Sequence, residues 1–233
     1  MTLRSENKMR RIGILGGMGP EATILMQQRL LKAIPAEDDS DHIPLLIDMN
    51  PQVPSRIAHL IEGTGGDPAP VLAEMARRLE AGGAEALAMP CNTAHSYAAS
   101  ITAAVKIPLL NMVTLSAERV GVGKVGILAS PATRITGVFD KALAKVGATP
   151  VWLADDAPLL HAIRIIKANG ATVEARNIVR AASEELLAMG ARTQVIGCSE
   201  MSLIAEATSA DADVIDTLDV LVEAVVAFAS SKG

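Results

Sequence analysis

Short apolar runs and longer amphipathic stretches alternate along the chain. The runs are RIGIL (11–15), IPLLIDM (43–49), AEALAM (84–89), KVGILA (124–129), TPVWLA (149–154), TQVIGC (193–198) and ADVID (212–216). Each is short and almost continuously apolar, as expected of a strand buried on both faces of a parallel sheet. Between them lie stretches such as 68–83, PAPVLAEMARRLEAGG, whose apolar positions recur with helical spacing. Helix punctuation agrees: Asp67 and Pro68 open that helix, Gly82 and Gly83 close it, and Gly170 ends another after Lys167, Ala168 and Asn169. The segment from Thr217 to Lys232 predicts a last helix that packs back on the body.

Strands alternating with crossover helices predict an α/β fold. A weak internal repeat divides it. RIGILGGMGPEAT from Arg11 and KVGILASPATRITG from Lys124 share a basic residue, a strand with glycine at its second apolar position, and a turn into a helix. AMPCNTAH and VIGCSEMS also match, each running from strand to cysteine to a polar helix start. The spans from Ile12 to Cys91 and from Val125 to Cys198 are nearly equal. The expectation is two similar parallel-sheet α/β domains related by a pseudo-twofold axis, residues 1–115 carrying Cys91 and residues 116–215 carrying Cys198. The helix of 216–231 returns to the first domain, and the active site lies in the cleft between the two.

Composition narrows the partners. A net charge of −5 and 2% aromatic residues in 233 residues argue against a nucleic-acid surface, which needs a basic stripe or rings on which bases stack. No apolar run is long enough to span a bilayer, and the start MTLRSENKMRR lacks the apolar stretch of a secretory signal, so a cytoplasmic protein acting on a small solvated substrate is expected. In a reducing compartment its two cysteines are expected as free thiols.

Those cysteines stand at equivalent strand ends. Ligands of open α/β sheets bind outside the carboxyl ends of the strands, where the following helix start presents unpaired N–H groups that favour a thiolate. One thiolate removing a proton from a tetrahedral carbon, while a thiol protonates the opposite face, inverts that centre without a cofactor. A single such cysteine is most simply a small buried hydrophobe; equivalence in a repeat is what points to chemistry.

These residues resemble the aspartate racemases of the cofactor-independent aspartate/glutamate racemase superfamily. The likeness runs from IGILGGMGPEAT through NPQVPSR, DPAP, MPCNTAH, ITGVFDKALAKVG and GCSE to VIDTLDV. It implies racemisation of aspartate or glutamate with Cys91 and Cys198 as the two catalytic bases, no pyridoxal phosphate or metal, and a homodimer. By the same likeness, Arg56 and Lys167 hold a distal carboxylate, with Gln52 in the loop of Arg56. Gly16, Gly17 and Gly19 are expected to let the backbone approach the substrate closely, with Met18 at the cleft edge. The polar residues beside the cysteines, Asn92, Thr93 and Ser199, with Thr133 in the second half, are candidates to stabilise charge developing on the α-carboxylate; their plain alternative is helix capping. This chain departs from the family's usual pattern at Ser55 and in SPAT (130–133), where Pro131 and Ala132 are expected to alter a loop near substrate.

Other readings remain open. Gly17, Gly19 and Ala22 fit a dinucleotide fingerprint, with Asp48 at the end of the next strand, although further along than a ribose-binding acid should be. Cys91, His95, Cys198 and Glu200 are the types of residue that bind zinc, without paired CxxC ligands; the plainer reading of His95 is a core histidine whose ring bonds locally near the cysteine turn. A superfamily epimerase, isomerase or decarboxylase, and a non-catalytic amino-acid-binding protein, complete the alternatives.

Overall fold

The computed structural model describes residues 9–231. Two four-stranded sheets, parallel throughout, follow one another in the chain. The first half runs β1 (Ile12–Gly16), α1 (Pro20–Ala33), β2 (Leu45–Met49), α2 (Ala69–Ala81), β3 (Ala86–Ala88), α3 (Ala98–Ala104), β4 (Leu109–Leu110) and α4 (Met112–Val120). The second runs β5 (Gly123–Leu128), α5 (Pro131–Thr136), α6 (Val138–Lys145), β6 (Ala148–Val151), α7 (Ala157–Asn169), α8 (Val173–Ala188), β7 (Thr193–Ile196) and β8 (Asp213–Asp216), and α9 (Thr217–Ser230) follows. The strand orders are β2-β1-β3-β4 and β6-β5-β7-β8, one order used twice. The two-domain α/β architecture expected from the alternation is therefore present, and so is the repeat.

The repeated strand glycine has a packing reason. A Cβ on Gly13 of β1 would lie 3.0 Å from the Leu79 Cβ of α2, and one on Gly126 of β5 would lie 3.0 Å from Leu186 Cδ1 of α8. In both halves the absent side chain lets a crossover helix lie close on its sheet.

Three apolar clusters show how the halves are joined. One face of the first sheet is covered by α2 and its neighbours, with Leu15, Leu72, Met75, Leu79 and Leu87 in one cluster. The outer face of the second sheet is covered by α7 and α8, with Ile163, Ile166, Val179 and Leu186 in another. The remaining cluster belongs to both halves: Ile14, Met26, Met112, Ile127, Phe139, Val195 and Leu221 are all in it. Helices α1, α4, α6 and α9 supply this middle layer, and α9 packs against α1 and α4. The two sheets thus share an apolar interior, which holds their carboxyl edges in a fixed relation.

Strand ends differ from expectation in small ways. The run 193–198 leaves the sheet after Ile196, so Cys198 stands beyond the strand in a turn. The run 149–154 leaves it after Val151: Trp152 Nε1 donates to Asp140 Oδ1 at 3.3 Å, and the Leu153 carbonyl accepts from Arg134. Strand β4 was unread because Leu109–Leu110, between Pro108 and Asn111, is too short to show any period.

Candidate active site

Both cysteines lie just past the ends of equivalent strands, Cys91 after β3 and Cys198 after β7. They are 7% and 8% exposed, so neither is the more accessible, and both are free thiols. Hydrogen bonds sew the two turns together across the seam between the halves. Ser199 Oγ donates to the Pro90 carbonyl at 2.8 Å, and the hydroxyls of Thr93 and Thr133 lie 2.6 Å apart. Asn92 Nδ2 donates to Thr217 Oγ1 at 2.9 Å, and that hydroxyl donates to the Ile196 carbonyl at 2.8 Å. Each of these bonds joins a residue adjoining one cysteine to a residue of the second half or of α9. The Lys167 ammonium feels both sulfurs: burial lowers its pKa, but Glu200, Cys198 and Cys91 raise it by more, and the net shift is upward.

The Thr217 bond also fixes the Asn92 amide. Because the hydroxyl spends its proton on Ile196, Asn92 must present N–H to it, which leaves Oδ1 facing elsewhere. Asn92 Oδ1 and Tyr97 Oη are the two buried side-chain polar atoms without a partner among the described residues. Orphans of this kind are costly and ask for a function. Burial and the charge of Asp67 raise the Tyr97 pKa against smaller lowering by the Ser96 side chain and Arg56, and Cys91 adds a small rise. Among the described residues, the backbone N–H groups of Asn92, Thr93 and Ser199 have no acceptor either. Donors therefore follow each cysteine, as helix starts provide.

Arg56 is held by carbonyls and paired with none of the described carboxylates. Its Nη1 donates to Pro54 O at 2.9 Å and Val53 O at 3.3 Å, and Nη2 to Met18 O at 3.5 Å. Its Nε and part of Nη2 remain available in a half-buried position. Lys167 differs: its Nζ lies 3.0 Å from Glu200 Oε1, so its charge is already met. Glu200 is 5% exposed and uses its other oxygen, Oε2, to accept from the Cys198 thiol at 3.1 Å. Burial, then Glu200, drive the Cys198 pKa well up, against smaller opposing effects of Lys167 and the Glu200 backbone N–H.

Some candidates stand elsewhere than expected. Met18 is 3% exposed and packs in the first half's core with Cys91, so it lies inside the wall and not at a cleft edge; its carbonyl is the part that meets Arg56. Gln52 is exposed, and only its backbone N–H is engaged, by Asn50 Oδ1 at 3.0 Å. The SPAT departure leaves the loop well formed: Ser130 caps α5 through the Thr133 N–H, and Pro131 occupies the first turn, where no N–H is needed. Thr133 is fully buried, its hydroxyl between those of Ser130 and Thr93.

The glycines at the end of β1 serve the chain itself and not an approach of the backbone to substrate. A Cβ on Gly16 would meet Thr23 Cγ2 at 2.7 Å, and one on Gly17, whose φ is 92°, would meet the Asn50 carbonyl carbon at 2.5 Å. Thr23 Oγ1 accepts from the Gly17 N–H at 3.0 Å. Asp48 is bound by Arg78, at 2.6 Å from Nη2 and 3.0 Å from Nε. The space and the acid of a dinucleotide fingerprint are thus already taken. His95 is likewise committed. Its Nε2 accepts from the Met112 N–H at 3.3 Å, so Nδ1 carries the proton and donates to the Cys91 carbonyl at 2.9 Å. Burial pulls its pKa down to about 4, opposed weakly by that carbonyl bond. The ring stays neutral and braces the cysteine turn, with no nitrogen left for a metal.

Sequence reasoning gave Glu200 only a metal-binding reading and passed over Tyr97 and Thr217. The signals were slight: one carboxylate two residues after a cysteine in an apolar setting, and the chain's single tyrosine six residues after the other.

Comparison with known proteins places the chain in a family. The sequence pattern of the family described as Asp/Glu/hydantoin racemase matches residues 15–225. An aspartate racemase from Picrophilus torridus has the same fold with a TM-score of 0.85 at 27% identity, over 96% of this chain and 95% of its own. A glutamate racemase from Francisella tularensis in complex with D-glutamate shares the fold, with a TM-score of 0.66 at 18% identity over 94% of this chain and 81% of its own. The broad specificity amino-acid racemase RacX of Bacillus subtilis (strain 168) is 29% identical over 138 residues, 57% of this chain and 60% of that relative, so the matched region spans less than two thirds of its length. The family match covers nearly all of both sheets and both cysteine turns, and the chain belongs to the Asp/Glu/hydantoin racemase family.

Proposed function

We propose that this protein racemises an acidic amino acid, aspartate or glutamate, by exchanging the α-proton between Cys91 and Cys198 without a cofactor. The observation that carries the reading is the pair of equally buried thiols at equivalent strand ends, tied across the seam by Ser199 and Pro90 and sharing the field of Lys167. Thiolate and thiol exchange roles with the direction of reaction. Removing an α-hydrogen beside a carboxylate is the hard step, and a positioned base contributes only about 10² to 10⁴. The rest falls to donors already in place for the developing charge: the free N–H groups of Asn92, Thr93 and Ser199, with the linked hydroxyls of Thr93 and Thr133. Asn92 Oδ1 is the acceptor for the substrate ammonium, and Arg56, with Tyr97 beside it, receives the distal carboxylate.

The test is deuterium wash-in. In deuterium oxide, L- and D-aspartate or glutamate should each gain α-deuterium as the opposite enantiomer appears, followed by NMR and chiral chromatography. Binding without wash-in would make the chain a non-catalytic receptor and end the proposal. By the same likeness to aspartate racemases we propose a homodimer in the cytoplasm. Ile47 and Met49 on the open edge strand β2, and Ile24 and Leu31 on α1, are exposed apolar residues in accord with a covered face. Sedimentation equilibrium should give twice the 24.2 kDa chain mass, and a monomer at micromolar concentration would refute it.

A further inference from the structure

The site is not symmetric, although the fold that carries it is. Cys198 has a carboxylate partner, Glu200 Oε2 at 3.1 Å, whereas Cys91 Sγ has no hydrogen-bond partner among the described residues. Glu200 in turn is fixed through its second oxygen, 3.0 Å from Lys167 Nζ. A carboxylate oxygen only accepts, so the bond to sulfur exists only while Cys198 is a thiol.

We infer that Glu200 is a positioning residue that stores the catalytic proton on Cys198, so that the resting enzyme holds Cys91 as the thiolate base and Cys198 as the thiol acid. This rests on the two-thiol reading above. In the forward turnover Cys91 takes the α-proton and Cys198 delivers its own proton to the opposite face. The enzyme is left with a Cys91 thiol and a Cys198 thiolate against Glu200, two negative charges side by side. Lys167 is the group that makes this second form reachable, because its ammonium touches Glu200 and feels both sulfurs. The proton must then return to Cys198 before the next forward cycle. The other charged groups nearby are accounted for. A Cβ on Gly19 would lie 3.4 Å from Glu200 Oε1 and 3.3 Å from Glu21 Oε2, so Glu21 adds negative charge on that side. Asp216, behind the same turn, is neutralised by Arg29 at 2.6 Å and accepts from Ser202. Burial and Glu200 raise the Cys198 pKa, which has the sign the storage role requires.

The reading assigns Lys167 to Glu200 and leaves Arg56, of these two, free for substrate. It is tested without substrate, by following iodoacetamide alkylation of each cysteine in the full-length protein by peptide mass spectrometry across pH. The two thiols are almost equally exposed, so access does not separate them. Because only thiolate reacts, Cys91 should be modified at least about tenfold faster than Cys198 near neutral pH. Glu200→Gln should bring the two rates within about threefold and move the onset of Cys198 reaction to lower pH, since the raised pKa is released while Lys167 now favours the thiolate. Glu200→Asp, which keeps the charge opposite Lys167 but withdraws the carboxylate from sulfur, should fall between and guards against a folding failure of the first variant. Equal rates in the parent protein overturn the inference, as does an unchanged Cys198 onset in a folded Glu200→Gln variant. A preserved rate difference with no racemisation of any amino acid would instead sink the racemase reading and leave the proton storage standing.

Discussion

Replacing either cysteine with alanine is expected to stop racemisation while leaving α-hydrogen exchange into one enantiomer only. Inversion needs a base on one face and an acid on the other, so loss of either thiol closes the route in both directions. The surviving thiol can still remove a proton from the enantiomer that presents its hydrogen to that wall and return a deuteron to the same face. Cys91→Ala and Cys198→Ala should therefore exchange opposite enantiomers. Each variant should racemise at least about 10³-fold more slowly than the parent, the scale of a lost general acid or base. Both should fold: each change trims only a sulfur atom, and the hydrogen bonds that sew the turns run through Pro90, Asn92, Thr93 and Ser199. Chiral chromatography and deuterium NMR on the same samples give the two readouts. Normal racemisation by either variant, or exchange of the same enantiomer by both, would refute the paired roles.

The repeat in the fold could be read in the sequence because it is written in short-range pattern. Continuous apolar runs with glycine at Gly13 and Gly126 reveal buried strands with helices close upon them, and the cysteines recur at nearly the same distance from those strands. What the pattern does not carry is the way the halves meet. The shared cluster mixes Ile14, Met112, Phe139 and Leu221, residues far apart in the chain, whose apolar character says that they are buried but not against what. Phe139 is the clearest case. A Cβ on Gly197 would lie 2.7 Å from its Cε2, so the glycine before Cys198 is required by a ring some sixty residues earlier.

The same limit explains why several site residues are only partly legible in the sequence. Met18 lies between glycines and reads as a residue of the cleft edge, but its side chain packs in the core with Cys91. His95, four residues after Cys91, has the spacing of a ligand but reads more simply as a core histidine, and its bonds to the Cys91 carbonyl and to the Met112 N–H, brought up by β4 and the start of α4, agree with that simpler reading. Glu200 was ambiguous for the opposite reason. A buried carboxylate needs a cation, and the one it has, Lys167, comes from α7, a different crossover of the same half. Local pattern gives the residue type, and the partner that fixes its role arrives through tertiary structure.

Arg56 is where substrate choice should be decided. Its guanidinium is already oriented by the Val53, Pro54 and Met18 carbonyls, and it faces no described carboxylate, so it keeps donors in reserve for an incoming anion. Charged hydrogen bonds contribute about 1.5–3 kcal/mol each, so a two-point grip on a distal carboxylate amounts to roughly 10² to 10⁴ in kcat/KM. Arg56→Ala should lose that factor on aspartate or glutamate but little on alanine, which has no distal carboxylate; the ratio between substrates is the measurement that separates recognition from general damage. Arg56→Lys should recover only a small part. A lysine ammonium offers a point charge without the planar fork, and cannot hold the loop carbonyls and a carboxylate at once. If Arg56→Lys turned over aspartate as the parent does, or if Arg56→Ala slowed aspartate and alanine alike, the distal carboxylate would have to be recognised elsewhere. Lys167 would be the next candidate, and it would have to give up Glu200, and with it the support of Glu200 on Cys198, to bind substrate.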